Sequence, residues 1–453
     1  MARWALGRKR VSEAWGSATA PRLGFTDRDR PSEAILNTCV HCGLCLPHCP
    51  TYRTLYREPS SPRGRIHLIR QVADGRVALD AAVFREQMYE CLDCRACEAV
   101  CPSGVRYGQL VEMARAQIER RVPRPWWQRL LRWAVFTGLF ASPARFRALV
   151  ALLRLYQRSG LQRLARASRV LEGLGLAAQE RMLPPLPAAF FTPAGQTWCP
   201  AGPVRQRVAL FAGCVMSTVY AEIDRATARV LAANGCEVLV PPGQGCCGAL
   251  HVHAGLLDAG RALMRRNVAA FERLEIDAIV VNAAGCGAML KEYGHLLADD
   301  PAYAARAAAV AEKVRDVTEY LCAIGFTPPA GRLDLVVTYQ EPCHLVHAQG
   351  IKSQPRQLLR AIPGLRLVEM AEADFCCGSA GIYNLTRPAL AAQLRRRKVD
   401  NVLATQAAVV VSANPGCMLQ LQAGLAEAGS PVQVKHLVEL LDAAYQTGPA
   451  PPV

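Results

Sequence analysis

From about residue 205 onward, near-continuous runs of Val, Ile and Leu alternate with longer stretches of helical character. "RVALF", "AIVV", "LVVTY" and "VVVS" show no apolar–polar alternation. That pattern fits strands covered on both faces, and such strands separated by helices predict parallel sheet. The pattern also repeats. Cys214, the doublet Cys246–Cys247 and Cys286 recur as Cys343, Cys376–Cys377 and Cys417, at offsets of 129, 130 and 131 residues. Each copy reads strand, cysteine, helix, strand, doublet, helix, strand, cysteine. Two α/β halves, 205–325 and 326–445, related by a pseudo-twofold, are therefore predicted. All their cysteines fall just past strand ends, where open α/β sheets place ligands.

The preceding chain divides by composition. Residues 1–30 read as a loose, basic tail, and 31–118 hold two dense cysteine runs. Residues 119–183 read as helical and Arg-rich, with twelve arginines and no Asp or Glu between Arg120 and Arg169. A Pro-rich stretch, 184–204, reads as a linker.

Composition adds the compartment and the partners. The chain has 453 residues, 51% hydrophobic and 20% charged, which describes a folded protein of several domains. Nineteen cysteines fall mostly in CxxC-type clusters or doublets, and the opening residues carry no apolar run before a cleavage site. We expect a reducing cytoplasm, with cysteines held as metal ligands. A net charge of +16 calls for a partner of opposite sign. No apolar stretch reaches the roughly 20 residues that span a bilayer.

"CVHCGLCLPHCP" and "CLDCRACEAVCP" are both C-x2-C-x2-C-x3-C-P, the pattern of ferredoxins with two [4Fe–4S] clusters. Three close thiolates cap three corners of a cubane, and the fourth cysteine, turned away by its proline, ligates the other cluster. The expected sets are Cys39, Cys42, Cys45 and Cys101 for one cluster, and Cys91, Cys94, Cys97 and Cys49 for the other. Structural zinc also takes four cysteines, but it does not require two such runs each closing in Cys-Pro. The head therefore reads as an electron wire.

Three readings compete for the doublets: buried cysteines that pack as small hydrophobes, thiols that cycle through a disulfide, or ligands of a metal cluster. In the last, the flanking Gly245, Gly248, Gly378 and Gly381 let backbone approach the sulfurs closely. The third and fourth sites would be Cys214, Cys246, Cys247 and Cys286, and Cys343, Cys376, Cys377 and Cys417. C-x31-CCG-x37-C and C-x32-CCG-x38-C resemble the tandem cysteine-rich domains of the heterodisulfide reductase B-type family. That family's pattern ends in CxxC, whereas Gly287, Ala288 and Met289 follow Cys286, and Met418, Leu419 and Gln420 follow Cys417. A four-cysteine site, or none, stays open.

As a whole the chain resembles the iron–sulfur subunits of glycolate oxidase (glycolate dehydrogenase). "TCVHCGLCLPHCPTY", "GCCGALHVHAG", "GCGAMLKEYG", "YQEPCHLVHAQG", "CCGSAGIYNL" and "NPGCMLQLQAG" carry the likeness from residue 37 to beyond 420. The resemblance implies an α-helical ferredoxin-like two-cluster domain followed by a tandem pseudo-twofold α/β cysteine-rich domain. It also implies two [4Fe–4S] clusters, with one or two further clusters in the repeats. The chain would be a subunit of an oxidoreductase whose flavin-containing partner oxidises glycolate to glyoxylate. Electrons would leave toward a quinone-type acceptor. No flavin or nicotinamide motif stands out here, which agrees with carbon chemistry on a partner. The alternatives are a D-lactate or glycerol-3-phosphate dehydrogenase subunit, or a thiol–disulfide enzyme of the heterodisulfide reductase kind.

His251, His253, His344 and His347 follow the repeat cysteines. They are read as structural first, with ligation or proton carriage as the competing roles. Cys199, Cys236 and Cys322 match no repeated slot and read as packing residues. The Arg- and Trp-bearing helices fit a membrane surface, on the inner face of the cytoplasmic membrane, or an acidic partner subunit. No nucleic-acid motif accompanies the arginines.

Overall fold

The computed structural model describes residues 23–173 and 175–447. Most of the expected basic tail, residues 1–22, lies outside the described residues. The chain divides into two compact units, one formed by residues up to Pro125 with Val252–Leu257, the other by Trp126–His251 with Asp258 onward.

The first unit is helical among the described residues: Glu33–Thr38, Pro50–Leu55, Pro62–Ala73, Ala82–Glu90, Ala96–Ala99 and Tyr107–Arg121. Its helix starts follow local chemistry. Pro50 opens a helix directly after Cys49, where a missing N–H costs nothing. Ser61 caps the next by accepting from the Gly64 N–H, with Pro62 again at the first position. The apolar faces of these helices meet in a core that includes Ile69, Phe84, Met88, Leu110 and Ala114.

The second unit holds two sheets. In the first, β1 (Thr197–Trp198), β2 (Gln206–Phe211), β3 (Cys236–Leu239), β4 (Ala278–Val281) and β5 (Val314–Asp316) lie in the order β1-β3-β2-β4-β5. The second sheet orders β6 (Val336–Tyr339), β7 (Arg366–Val368), β8 (Val409–Val411) and β9 (Gln433–Lys435) as β7-β6-β8-β9. Removing β1 leaves the same order in both. Every pairing is parallel except that of β1 with β3. The antiparallel edge comes from the Pro-rich stretch, where Phe191 is buried and stacks on Trp198 at 5.5 Å. A two-residue strand leaves no periodicity in the sequence.

One core serves both sheets: Val208, Val280, Val337, Val411 and Leu437 belong to a single buried cluster. Polar bonds tie the repeats as well. The Ala284 N–H donates to Ala413 O at 3.0 Å, and the Gly285 N–H to Asn414 Oδ1 at 3.1 Å. His436, which burial pulls down to about 4, donates from Nε2 to Asn282 O at 2.8 Å. The C-terminal helix Leu437–Thr447 reaches back to the first repeat, where Arg229 grips Asp442 bidentately at 2.9 and 2.6 Å.

Between Arg120 and the first sheet run the helices Trp126–Arg132, Pro143–Arg158 and Leu161–Ala167. A π-helical stretch, Trp133–Phe140, joins the first two. Phe136 O there accepts from the Ala141 N–H at 3.1 Å, the wider i to i+5 register.

Candidate metal centres

In the first unit one cavity is lined by Cys39, Cys42, Cys45 and Cys101, with Cys97 also on its wall. The first three come from one run and Cys101 from the other, 56 residues beyond Cys45. Cys49, Cys91 and Cys94 are buried. The Cys97 thiol is pushed well up, by burial first and then by the charges of Cys94, Cys91 and, more weakly, Cys49. Donors point at these sulfurs. The Asp93 N–H meets Cys91 Sγ at 3.3 Å, the Val105 N–H meets Cys101 Sγ at 3.4 Å, and Arg65 Nη1 lies 4.0 Å from Cys49 Sγ. Arg65 is 1% exposed and is held by Gln87 O and Glu90.

Beside the second cysteine run lies a buried charge network. Arg95 binds Asp93 at 3.1 Å and Glu112 at 3.0 Å. His253 Nδ1 lies 3.2 Å from Asp93 and 3.0 Å from Glu112. Burial works against the imidazolium, but hydrogen bonds to both carboxylates raise His253 to about 9. Burial likewise opposes the Asp93 charge, yet the Arg95 guanidinium holds that carboxyl well below the usual carboxylate range. By spacing, Asp93, Glu112 and His253 suit a cation. Arg95 already supplies positive charge among them.

In the second unit each repeat gathers its four cysteines at strand ends. Cys214 follows β2, the first doublet follows β3, and Cys286 lies in the helix Ala284–Lys291 that follows β4. Cys246 is held well below the ordinary thiol range by hydrogen bonds from Cys214 and Cys247. Cys247 is raised by its bonds to Cys246 and Cys286. The second repeat has the same arrangement: Cys377 Sγ lies 3.2 Å from Cys417 Sγ, and Cys343 is lowered by its bond to Cys376. Glycine is required at the doublets. Gly378 has φ +83°, and a Cβ there would meet Ala391 O at 2.9 Å, while Gly248 has φ +92°.

The two sites differ in their surroundings. Asn267 donates to Cys246 O at 3.0 Å and accepts from the Gly245 N–H. Lys398, 131 residues further on, takes the matching place and is 1% exposed. Burial pulls the Lys398 ammonium down, and Cys377, Cys376 and Cys417 oppose this. Asn414 stands between the repeats, accepting from Gly285 and donating from Nδ2 to Cys417 Sγ at 3.6 Å. Arg65, Lys398 and Asn414 were not singled out in the sequence, because a polar residue whose partners are distant in the chain leaves no spacing of its own. Among the stray cysteines, Cys236 is buried, Cys322 half-buried and Cys199 exposed, so packing does not account for Cys199. His344 Nδ1 lies 3.7 Å from Cys343 Sγ, and His347 Nε2 donates to Asp374 O at 3.1 Å.

Sulfur donors without a disulfide, drawn from distant segments to shared sites, fit iron–sulfur clusters. The chain is thus an iron–sulfur protein of the electron-transfer class. Comparison with known proteins agrees. A 4Fe-4S dicluster domain matches residues 35–105, and a cysteine-rich domain matches twice, at 208–291 and 337–422. The linker region of the glycolate oxidase iron-sulfur subunit matches 127–183. A probable glycolate oxidase iron-sulfur subunit of Bacillus subtilis is 44% identical over 91% of this chain and 95% of its own length. The glycolate oxidase iron-sulfur subunit of Escherichia coli is 36% identical over 92% and 95%. A lactate utilization protein A of Geobacillus kaustophilus is 31% identical over 52% of this chain and 99% of its own. The chain belongs to the family of glycolate oxidase iron–sulfur subunits, and so is part of an oxidoreductase.

His253 makes stability depend on pH. Its folded value, about 9, exceeds the ordinary 6.5, so its contribution is complete below about pH 6.5 and is lost as pH rises through about 9. The increment is about 3 kcal/mol. In anaerobic urea unfolding, His253→Gln should cost that much near pH 6 and little above about pH 9.5. A pH-independent loss would contradict the network.

Proposed function

We propose that this chain carries electrons from a flavin-containing partner subunit that oxidises glycolate to a quinone-type acceptor. The carrying observation is the convergence of cysteines from both C-x2-C-x2-C-x3-C-P runs on one cavity, within a chain of this family. One [4Fe–4S] cluster is assigned to Cys39, Cys42, Cys45 and Cys101, and the other to Cys91, Cys94, Cys97 and Cys49, in a helical head of ferredoxin type. Such clusters, when bound, supply one-electron carriage. The protein holds their ligands, excludes water and sets the charge around the sulfurs through Arg65 and backbone N–H groups. Sulfur-only sites offer no base for carbon chemistry, so glycolate oxidation belongs on the partner. In the assembled complex, glycolate should reduce the clusters faster than D-lactate or glycerol 3-phosphate. Cys97→Ser should abolish quinone reduction while sparing glycolate-driven reduction of a dye that accepts electrons at the flavin. Unchanged quinone reduction would sink the reading.

Crossed ligation has its own test. The EPR changes of Cys101→Ser should match those of Cys42→Ser, and those of Cys49→Ser should match Cys94→Ser. The opposite pairing would show that each run holds its own cluster.

The helical segment favours a location at the inner membrane surface. Trp126, Trp127, Leu130, Leu131 and Trp133 are exposed, as are Arg129 and Arg145. No single helix among the described residues is long and apolar enough to cross a membrane, and the pair Trp126–Phe140 and Pro143–Arg158 bends by 98°. An Arg- and Trp-bearing surface suits anionic headgroups. Replacing Arg129 and Arg145 by Gln should weaken binding to phosphatidylserine vesicles by roughly 2 kcal/mol, roughly thirtyfold. Failure of the unaltered complex to bind such vesicles would point instead to an acidic subunit.

A further inference from the structure

His251 is fully buried and lies in the short helix Ala249–His253 that starts just after the first doublet. Its two ring nitrogens have different surroundings. Nε2 lies 3.1 Å from Phe136 O, and a carbonyl only accepts, so Nε2 carries the proton. In the neutral ring Nδ1 is then a bare lone pair. That nitrogen is buried and meets no hydrogen-bond donor among the described residues. The ring packs edge-on to Phe136 at 5.3 Å and lies within hydrogen-bonding reach of the Cys246 thiol.

A metal-ligating histidine has this form: one nitrogen is free for the metal, and the other is fixed by a backbone carbonyl that sets tautomer and ring orientation. The carbonyl belongs to the π-helical stretch, where Phe136 O accepts both the i+5 amide and the imidazole. We propose that His251 ligates the cluster of the first repeat through Nδ1, alongside Cys214, Cys246, Cys247 and Cys286, with Phe136 O as its positioning group. The second repeat has no counterpart, because Gly381 stands at the matching position, 130 residues on.

The inference rests on the reading of the chain as a cluster-bearing electron carrier. The test is pulsed EPR on the anaerobically purified, reduced full chain, with natural and 15N-labelled histidine, alongside iron analysis. A strongly coupled histidine nitrogen is expected. It should vanish in His251→Cys, which offers a sulfur donor in its place and keeps the iron content, and persist in His347→Gln. More than about eight irons per chain with no coupled nitrogen, or with a coupling that survives His251→Cys, would overturn the ligation alone and leave a thiol-to-ring hydrogen bond. About eight irons, the content of two cubanes, would mean that the repeats hold no cluster. That result would overturn this inference while leaving the head's role as a wire intact.

Discussion

Ionised thiols gathered in a buried site repel one another, and in low dielectric that repulsion is large. Each sulfur group here is surrounded by something that answers it. In the head, the Arg65 guanidinium faces Cys49, and backbone N–H groups of Asp93 and Val105 point at Cys91 and Cys101. In the repeats, thiols share protons among themselves, so that Cys246 and Cys377 are lowered while their neighbours rise. Bound iron replaces those protons with larger positive charge. The folding demand is therefore to bring sulfurs together without closing disulfides. Parallel strands do this by ending three chain segments at one end of a sheet.

The seam between the repeats follows a different rule from the head. His436 is buried and neutral, and Asn282, Asn414 and the Ala284–Ala413 amide pairing complete its polar contacts without charge. Burial holds His436 at about 4, so that this imidazole stays neutral near neutrality. The head instead places Arg95, Asp93, Glu112 and His253 in direct contact. Removing one member leaves buried charge uncompensated.

What could be read in the sequence was whatever depends on spacing. The cysteine runs, the doublets and the covered Val/Ile strands are local patterns, and their 130-residue recurrence carried the repeat without any contact being known. What escaped depends on contacts across the chain. Lys398 sits in "RRRKVDN", which looks like a solvated helix face, yet it is buried and bonded to Glu372 O and Ala373 O. Thr197–Trp198 is too short to show a strand period. The π register at Phe136 comes from one shifted hydrogen bond, which no hydrophobic pattern encodes. His251 was visible as a candidate beside the doublet. Its tautomer depends on a carbonyl 115 residues earlier.

The duplication also diverged where it matters for electrons. Both repeats keep four cysteines, the glycine after the doublet and the strand order, so the sulfur geometry is common to them. The groups just outside the sulfurs are not. One repeat has Asn267 and His251, both without formal charge when the imidazole is neutral, and the other has Lys398 and Gly381. A buried cation favours the electron-rich form of the sulfur group that faces it. The two groups of four cysteines thus meet different neighbours. Asn414, bonded to Gly285 on one side and to the Cys417 sulfur on the other, lies on the seam between them.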